Sequence, residues 1–303
     1  MLDAVLLIGF GGPTRSEEIR PFLDNVLRGR PVPKERYEEV VHHYEAMGGR
    51  SPYNDLTMRQ AEALRTRLKA EGIAIPIVVG MRNWNPYIID AMRELNGNRA
   101  TKILGFVLAA HRCEASWERY QAAIDEARAT IGSDAPRIEY PAPWHTHPKF
   151  IEAVAARTSE AFAKLDQSER KNAELILTAH SIPIAMAQES GYEDQIRESA
   201  QLVASRIGRP SWKLAFQSRS GSPRDPWLEP DIGAVIRKLE GRPAIAVPIG
   251  FLCDHVEVLY DLDIGAANIA RESGVKMIRA ATVGDHPAFI QMMAEIVREN
   301  LNR

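Results

Sequence analysis

Ala244-Ile245-Ala246-Val247-Pro248-Ile249-Gly250-Phe251-Leu252-Cys253-Asp254-His255-Val256-Glu257-Val258-Leu259-Tyr260-Asp261 reads as a buried strand, a tight glycine turn and a helix start. In open α/β sheets, ligands bind where a helix begins at the carboxyl end of such a strand. The helix start carries Asp254, His255, Glu257 and Asp261 in a segment otherwise apolar enough to be buried. Ionisable groups crowded there are costly unless a cation or a proton-exchanging ligand balances them. The stretch therefore points to an α/β protein acting on something positively charged or protonated.

Seven further apolar segments have the same form, each followed by a polar loop and a helical pattern. The first half holds strands at 4–10, 75–81, 103–110 and 137–142, and the second at 175–180, 213–218, 244–251 and 276–281. The landmarks recur in order. His111…Trp117…Tyr120 follows the third strand of the first half, where Asp254, His255…Glu257…Tyr260 follows the third of the second. His145-Thr146-His147-Pro148-Lys149-Phe150 is echoed by Gly284-Asp285-His286-Pro287-Ala288-Phe289. A repeat longer than ~100 residues makes this a duplicated domain, not a solenoid. The expectation is two similar Rossmann-like domains, 1–145 and 146–303, each a four-stranded parallel sheet flanked by helices, with a cleft between them. The last helix is free to pack back on the first domain. The copies differ after their first strands, where the first carries a long excursion at about 11–53. It reads as an irregular, functional lip mixing Phe22, Leu23, Val26 and Leu27 with Arg28 and Arg30.

Composition narrows the function. The 303 residues carry 38 Lys+Arg against 40 Asp+Glu, a net charge of −2, which gives no field for nucleic acid. No apolar run reaches the ~18 residues of a membrane span, and the N-terminus reads as a first strand without a basic leader. The two cysteines, Cys113 and Cys253, are too few for a disulfide scaffold and lack zinc or iron–sulfur spacing. A cytoplasmic, monomeric enzyme or binding protein is the simplest expectation.

Among single residues, His180 ends the strand Glu174-Leu175-Ile176-Leu177-Thr178-Ala179 and is either structural or catalytic. Asp254-His255-Val256-Glu257 has the form of a capping box, with Asp254 as N-cap and Glu257 at N3, so Glu257 is either a cap or a reactive carboxylate. Asp261 lies four residues on, on the same helix face; paired carboxylates beside an imidazole suit a first-row divalent ion or a general base. Of the adjacent His42 and His43, at most one points inward. Trp227 is available to stack on a flat ligand or simply to pack. Gly9-Phe10-Gly11-Gly12-Pro13 lacks the dinucleotide fingerprint, and Pro13 removes a donor, so a nucleotide is rejected.

Jointly, several of these motifs resemble the ferrochelatase family. They are Gly9-Phe10-Gly11-Gly12-Pro13, Tyr44-Glu45-Ala46-Met47-Gly48-Gly49-Arg50-Ser51-Pro52, Thr178-Ala179-His180-Ser181-Ile182-Pro183, Phe216-Gln217-Ser218, Asp225-Pro226-Trp227-Leu228-Glu229-Pro230 and the segment from Gly250 to Asp261. They come in the family's order and span the whole chain. The resemblance implies insertion of ferrous iron, a substrate, into a porphyrin during haem biosynthesis, with release of two pyrrole protons. It makes His180 and Glu257 the catalytic and iron-handling pair, with Asp261 as a candidate third ligand. It places Phe10 beside the macrocycle face, and Arg28, Arg30, His43, Tyr44, Ser51, Tyr120 and Trp227 on the substrate. No redox cofactor and no iron–sulfur cluster are implied. Gly265 stands where relatives continue the acidic helix face, and His43 where some carry an arginine. The pattern is most similar to the bacterial branch acting on coproporphyrin III, whose four propionates suit the arginine-bearing lip; protoporphyrin IX is the alternative. A non-catalytic haem carrier on the same fold, and a cobalt or sirohydrochlorin-type chelatase, are weaker readings. A transient handover of product to the next haem-pathway protein fits all the haem readings.

Overall fold

Each half of the chain forms its own four-stranded parallel sheet. The computed structural model describes residues 2–220 and 225–301. Sheet one contains β1 (Ala4–Gly9), β2 (Ile77–Met81), β3 (Lys102–Val107) and β4 (Arg137–Glu139), in the order β2-β1-β3-β4. Sheet two contains β5 (Glu174–His180), β6 (Lys213–Gln217), β7 (Ala244–Val247) and β8 (Met277–Arg279), in the order β6-β5-β7-β8. The orders are the same once the numbering restarts, so the twofold repetition legible in the sequence is a repetition of topology. All eight expected strands are present, several a few residues shorter than their apolar runs. The reason is local: Pro248, Leu108 and Phe10 continue the apolar pattern past the last paired residues, into the turns at the carboxyl ends of the sheets.

Clustering of contacts divides the chain into two compact units. Unit one is Met1–Leu108, Ala115–Ala142 and Ile290–Arg303; unit two is Ala109–Glu114 and Pro143–Phe289. In unit one the helices are α1 (Ile19–Leu27), α2 (Lys34–Ala46), α3 (Tyr53–Ala70), α4 (Ile88–Gly97) and α5 (Glu118–Ile131). In unit two they are α6 (Pro148–Ala163), α7 (Gln167–Asn172), α8 (Ile184–Ser190), α9 (Tyr192–Arg206), α10 (Ile232–Arg237), α11 (Val256–Leu259) and α12 (Ala267–Glu272). The last helix, α13 (Pro287–Leu301), begins in unit two and ends in unit one, where the Leu2 N–H meets the Leu301 carbonyl.

β1 and β5 are the central strands. Every residue of β1 is buried, as are Leu175, Ile176 and Leu177 of β5, because parallel strands are covered on both faces. Each of the Val, Leu and Ile side chains among them stabilises the fold by about 1.5–3 kcal/mol relative to exposure. Three helix starts use the same device, a histidine two residues before the backbone N–H it caps. His147 Nδ1 accepts from Lys149 N, His286 Nδ1 from Ala288 N, and His255 Nδ1 from Glu257 N, each at 3.2 Å. The His-Pro landmarks that repeat in the sequence are thus helix caps.

The 11–53 excursion departs from expectation. It is not an irregular lip: α1 and α2 occupy most of it. Phe22 and Leu23 are buried at 1% and 7% exposure, which gives α1 an apolar side to lay down and makes a helix the cheaper state. Arg28, at φ 50°, closes α1 in a left-handed turn, and Pro33 leads into α2.

Candidate functional site

In unit two the site grows from the central strand. His180 is the last residue of β5 and pairs in register with Gln217 of β6. Its neighbour Ser181 is pinned, donating its N–H to the Gln217 carbonyl at 2.7 Å and its hydroxyl to the Leu228 carbonyl at 2.9 Å. The Ser181 carbonyl then receives His180 Nδ1. A carbonyl can only accept, so Nδ1 carries a hydrogen and Nε2 is the nitrogen that gains or loses the exchangeable proton. Nε2 lies 3.3 Å from Glu257 Oε1. The Tyr192 hydroxyl donates to the His180 carbonyl at 3.3 Å, fixing the strand end from the other side.

Glu257 reaches His180 because of one glycine. A Cβ on Gly250 would lie 2.8 Å from the Ala179 Cβ and 2.9 Å from its Cα, so only glycine lets the turn after β7 lie against β5. The Gly250 N–H donates to the Thr178 carbonyl at 3.1 Å, two residues before His180. Gln217 then donates its side-chain amide to the Glu257 carbonyl, tying the residue beside His180 in the sheet to the helix that carries its partner.

The capping box expected here is corrected. His255 is the N-cap of α11, in extended conformation, and Glu257 is the second helical residue, not the third. Asp254 is held elsewhere: Arg279 reaches it at 3.1 Å and Thr282 Oγ1 at 3.0 Å, with Arg279 also on Asp263 at 2.7 Å. With the cap made by an imidazole, the Glu257 carboxylate is left to face His180. Asp261 opens a π-helical segment, Asp261–Ala266, in which Gly265 N bonds the Tyr260 carbonyl five residues back at 2.8 Å. Asp261 accepts a hydrogen bond from Ser218, and its charge acts on His180.

Electrostatics separates the two imidazoles. Burial pulls His180 down, but the Glu257 charge and hydrogen bond, the Ser181 carbonyl and Asp261 outweigh it, and its pKa is raised. For His255 burial wins over Glu257 and Asp254, helped by repulsion from His180, and its pKa is lowered. The two imidazoles on either side of one carboxylate are therefore shifted in opposite directions. Among the described residues no group of three His, Cys, Asp or Glu side chains converges as a metal cage. Trp227 is buried at 8% exposure, with the Arg219 guanidinium 5.9 Å from its ring centroid.

Unit one holds the other predicted residues. Phe10 follows β1 and stays 37% exposed, its N–H on the Tyr53 hydroxyl at 3.0 Å. It meets Phe22 edge-on at 6.2 Å, and Tyr44 meets the same ring at 5.9 Å, so Phe10 and Tyr44 share an aromatic cluster. Ser51 is packed under the glycine loop, where a Cβ on Gly12 would come within 2.8 Å of its own Cβ. Arg28 lies 3.7 Å from Glu126, and Arg30 Nε donates to the Leu27 carbonyl at 3.3 Å. His43 is the inward member of its pair, 14% exposed against 72% for His42, with Glu39 at 3.8 Å. Burial lowers its pKa, only partly opposed by Glu39. Tyr120 is buried and has the guanidinium of Arg82 6.0 Å from its ring.

Sequence reasoning missed Arg82 and Tyr192, and gave neither His255 its capping role nor Gln217 its tie to the Glu257 carbonyl. Arg82 and Gln217 each stand at or just beyond a strand's carboxyl end, which is the signal that could have flagged them. The proximity of Tyr192 to His180 has no sequence signal.

Comparison with known proteins bears on the whole chain. The sequence profile described as Ferrochelatase matches residues 2–301. A protein named ferrochelatase from Rhodopirellula baltica is 41% identical over 305 residues, covering 99% of this chain and 87% of its own. A coproporphyrin III ferrochelatase from Mycolicibacterium smegmatis is 38% identical over 306 residues, covering 99% and 90%. Among solved structures, SirB from Bacillus subtilis superposes with a TM-score of 0.61 at 15% identity, covering 99% of this chain and 95% of that one, a likeness of fold. The chain belongs to the ferrochelatase family. It is an enzyme that inserts iron into a porphyrin, a lyase of haem biosynthesis.

Proposed function

We propose that the porphyrin is coproporphyrin III and that the product is its ferrous iron complex. The observation that carries the chemistry is the His180 Nε2–Glu257 contact at 3.3 Å, with Nδ1 committed to a backbone carbonyl. Insertion replaces two pyrrole N–H hydrogens by one Fe²⁺, so two protons leave for each ion that enters. His180 Nε2 accepts one proton at a time, and Glu257 stabilises the imidazolium and passes the proton toward solvent. The same two groups offer one nitrogen and one oxygen to the dication, a borderline set suited to a first-row ion that must be released again. Asp261 adds negative charge behind them.

Phe10 in unit one is the flat apolar surface for the macrocycle. Arg28, Arg30, Tyr44, Ser51, Tyr120 and His43 are assigned to its carboxylate-bearing edge, and Trp227 packs behind Pro183, with which it forms a bridge. Support for four carboxylates over two comes from the arginines of this edge and from relatives named coproporphyrin III ferrochelatase at 37–39% identity. The reaction needs no redox cofactor and no iron–sulfur cluster on this reading. We assign the enzyme to the cytoplasm, as a monomer that hands its product on; among the described residues no helix is long and apolar enough to cross a membrane.

The test is anaerobic iron insertion with coproporphyrin III and protoporphyrin IX side by side. Coproporphyrin III is expected to give the larger kcat/KM, and a preference for protoporphyrin IX would overturn the assignment.

A further inference from the structure

We propose that Arg82 is a specificity-determining residue that receives a carboxylate of the porphyrin. The inference rests on the reading of the substrate as a carboxylated porphyrin and adds a residue that none of the sequence motifs contains.

Arg82 follows β2 directly, and its N–H donates to the Gly9 carbonyl at 2.9 Å, which anchors it at the carboxyl end of sheet one. The next N–H, from Asn83, donates to the Phe10 carbonyl at 3.0 Å, so Arg82 is tied to the strand end that presents Phe10. Its side chain is half-buried, and its Nε is buried without a hydrogen-bond partner. The Tyr120 ring lies 6.0 Å from the guanidinium carbon, a distance at which the ring attracts the cation and limits its swing.

What surrounds it is the unusual part. Among the leading influences on the Arg82 pKa, Arg28, Arg119 and Arg30 share its sign, and of these Arg28 has Glu126 at 3.7 Å. Burial is the largest influence on its pKa, and with those arginines it lowers the pKa despite Tyr120. Arg279 in unit two shows the ordinary solution for a half-buried guanidinium, with Asp254 and Asp263 both within hydrogen-bonding distance. Arg82 lacks that solution among the described residues. A half-buried guanidinium whose Nε is buried without a hydrogen-bond partner costs stability, which calls for an anion from outside the chain. Its Nε–H, together with one terminal N–H, is the edge of the fork that grips a carboxylate through two parallel bonds. A propionate matches that edge and neutralises the guanidinium; the neutral vinyl of protoporphyrin IX does not.

The experiment compares binding of coproporphyrin III with that of its tetramethyl ester, by fluorescence titration in one detergent, for the wild type, Arg82→Met and Arg82→Lys. Arg82→Met should weaken binding of the free acid about tenfold and of the ester less than about twofold, with Arg82→Lys recovering part of the loss. Equal weakening for acid and ester, or no weakening of the acid, overturns the proposal. If Arg82→Met does not fold, Arg82→Gln keeps hydrogen-bonding capacity without charge and is scored by the same acid-to-ester ratio. If the wild type turns over protoporphyrin IX in preference, the substrate assignment fails by itself; Arg82 is then scored on protoporphyrin IX against its dimethyl ester.

Discussion

The two sheets have the same strand order, and their carboxyl ends carry opposite chemistry. In unit one the turns after β1 and β2 and the ends of α1 and α5 present Phe10, Arg82, Arg28 and Tyr120: aromatic faces and guanidinium groups. In unit two the end of β5 and the turn after β7 present His180, His255 and Glu257: imidazoles around a carboxylate. Topology supplied the place in both cases and residue type supplied the function, which is why a fold alone does not define an activity. On the proposed reading, the first end takes the anionic, flat substrate and the second takes protons and the dication.

Breaking the unit-two end should have the largest effect on turnover. His180→Ala is expected to lower kcat for anaerobic iron insertion by about 10³-fold, while porphyrin binding by fluorescence quenching stays within about threefold. Insertion at the wild-type rate would remove His180 from the mechanism.

Glu257→Gln sharpens the comparison, because the structure gives the capping role to His255. A loss of about 10²-fold in kcat with little change in Tm is expected; a large loss of Tm with normal specific activity would return Glu257 to a structural role. The pH profile carries the sign. Glu257 raises the His180 pKa, so in Glu257→Gln the acid limb of kcat/KM should move to lower pH. Because the folded pKa of His180 lies above its ordinary 6.5, the stability this contributes is complete below pH 6.5 and is lost as pH rises through the folded value.

The next effect is on stability. Arg279→Met removes the one cation shared by Asp254 and Asp263 and should cost about 3 kcal/mol in urea unfolding, more than any single surface pair. His111 behaves in the opposite sense to His180. It is buried, its Nε2 lies 3.0 Å from Ser199 Oγ, and burial together with His145 pushes its pKa down to about 3. The unfolded chain therefore takes up a proton that the folded chain refuses, and stability should fall as pH drops from 6.5 toward 3. Urea midpoints at pH 7.5 and pH 5 should diverge less in His111→Asn than in the wild type. The smallest effect belongs to the cap: His255→Ala should lower stability by about 1 kcal/mol in the same assay.

Much of this was legible in the chain. The eight strands were found because both sheets are covered on both faces, which leaves unbroken apolar runs between turn residues. His180 and Glu257 stood out because each follows such a run where ligands bind. The neighbourhood of Glu257 was harder. Asp254-His255-Val256-Glu257 satisfies the capping-box pattern, yet Arg279, 25 residues on, takes Asp254 out of that role. The 11–53 excursion looked irregular because its glycines and prolines sit between two short helices whose apolar faces are narrow.

The sequence by itself determined the repeated α/β architecture, the family and the positions of His180 and Glu257 at strand and helix ends, because these depend on periodicity, on motif order and on residue types at strand ends. Tertiary structure decided how those groups are tuned. The hydrogen on His180 Nδ1 follows from a pinned Ser181 carbonyl, the approach of Glu257 to His180 from a cap supplied by His255, and the buried Arg82 Nε without a hydrogen-bond partner from its place at the end of β2. Such effects depend on distance and burial, which spacing along the sequence does not encode.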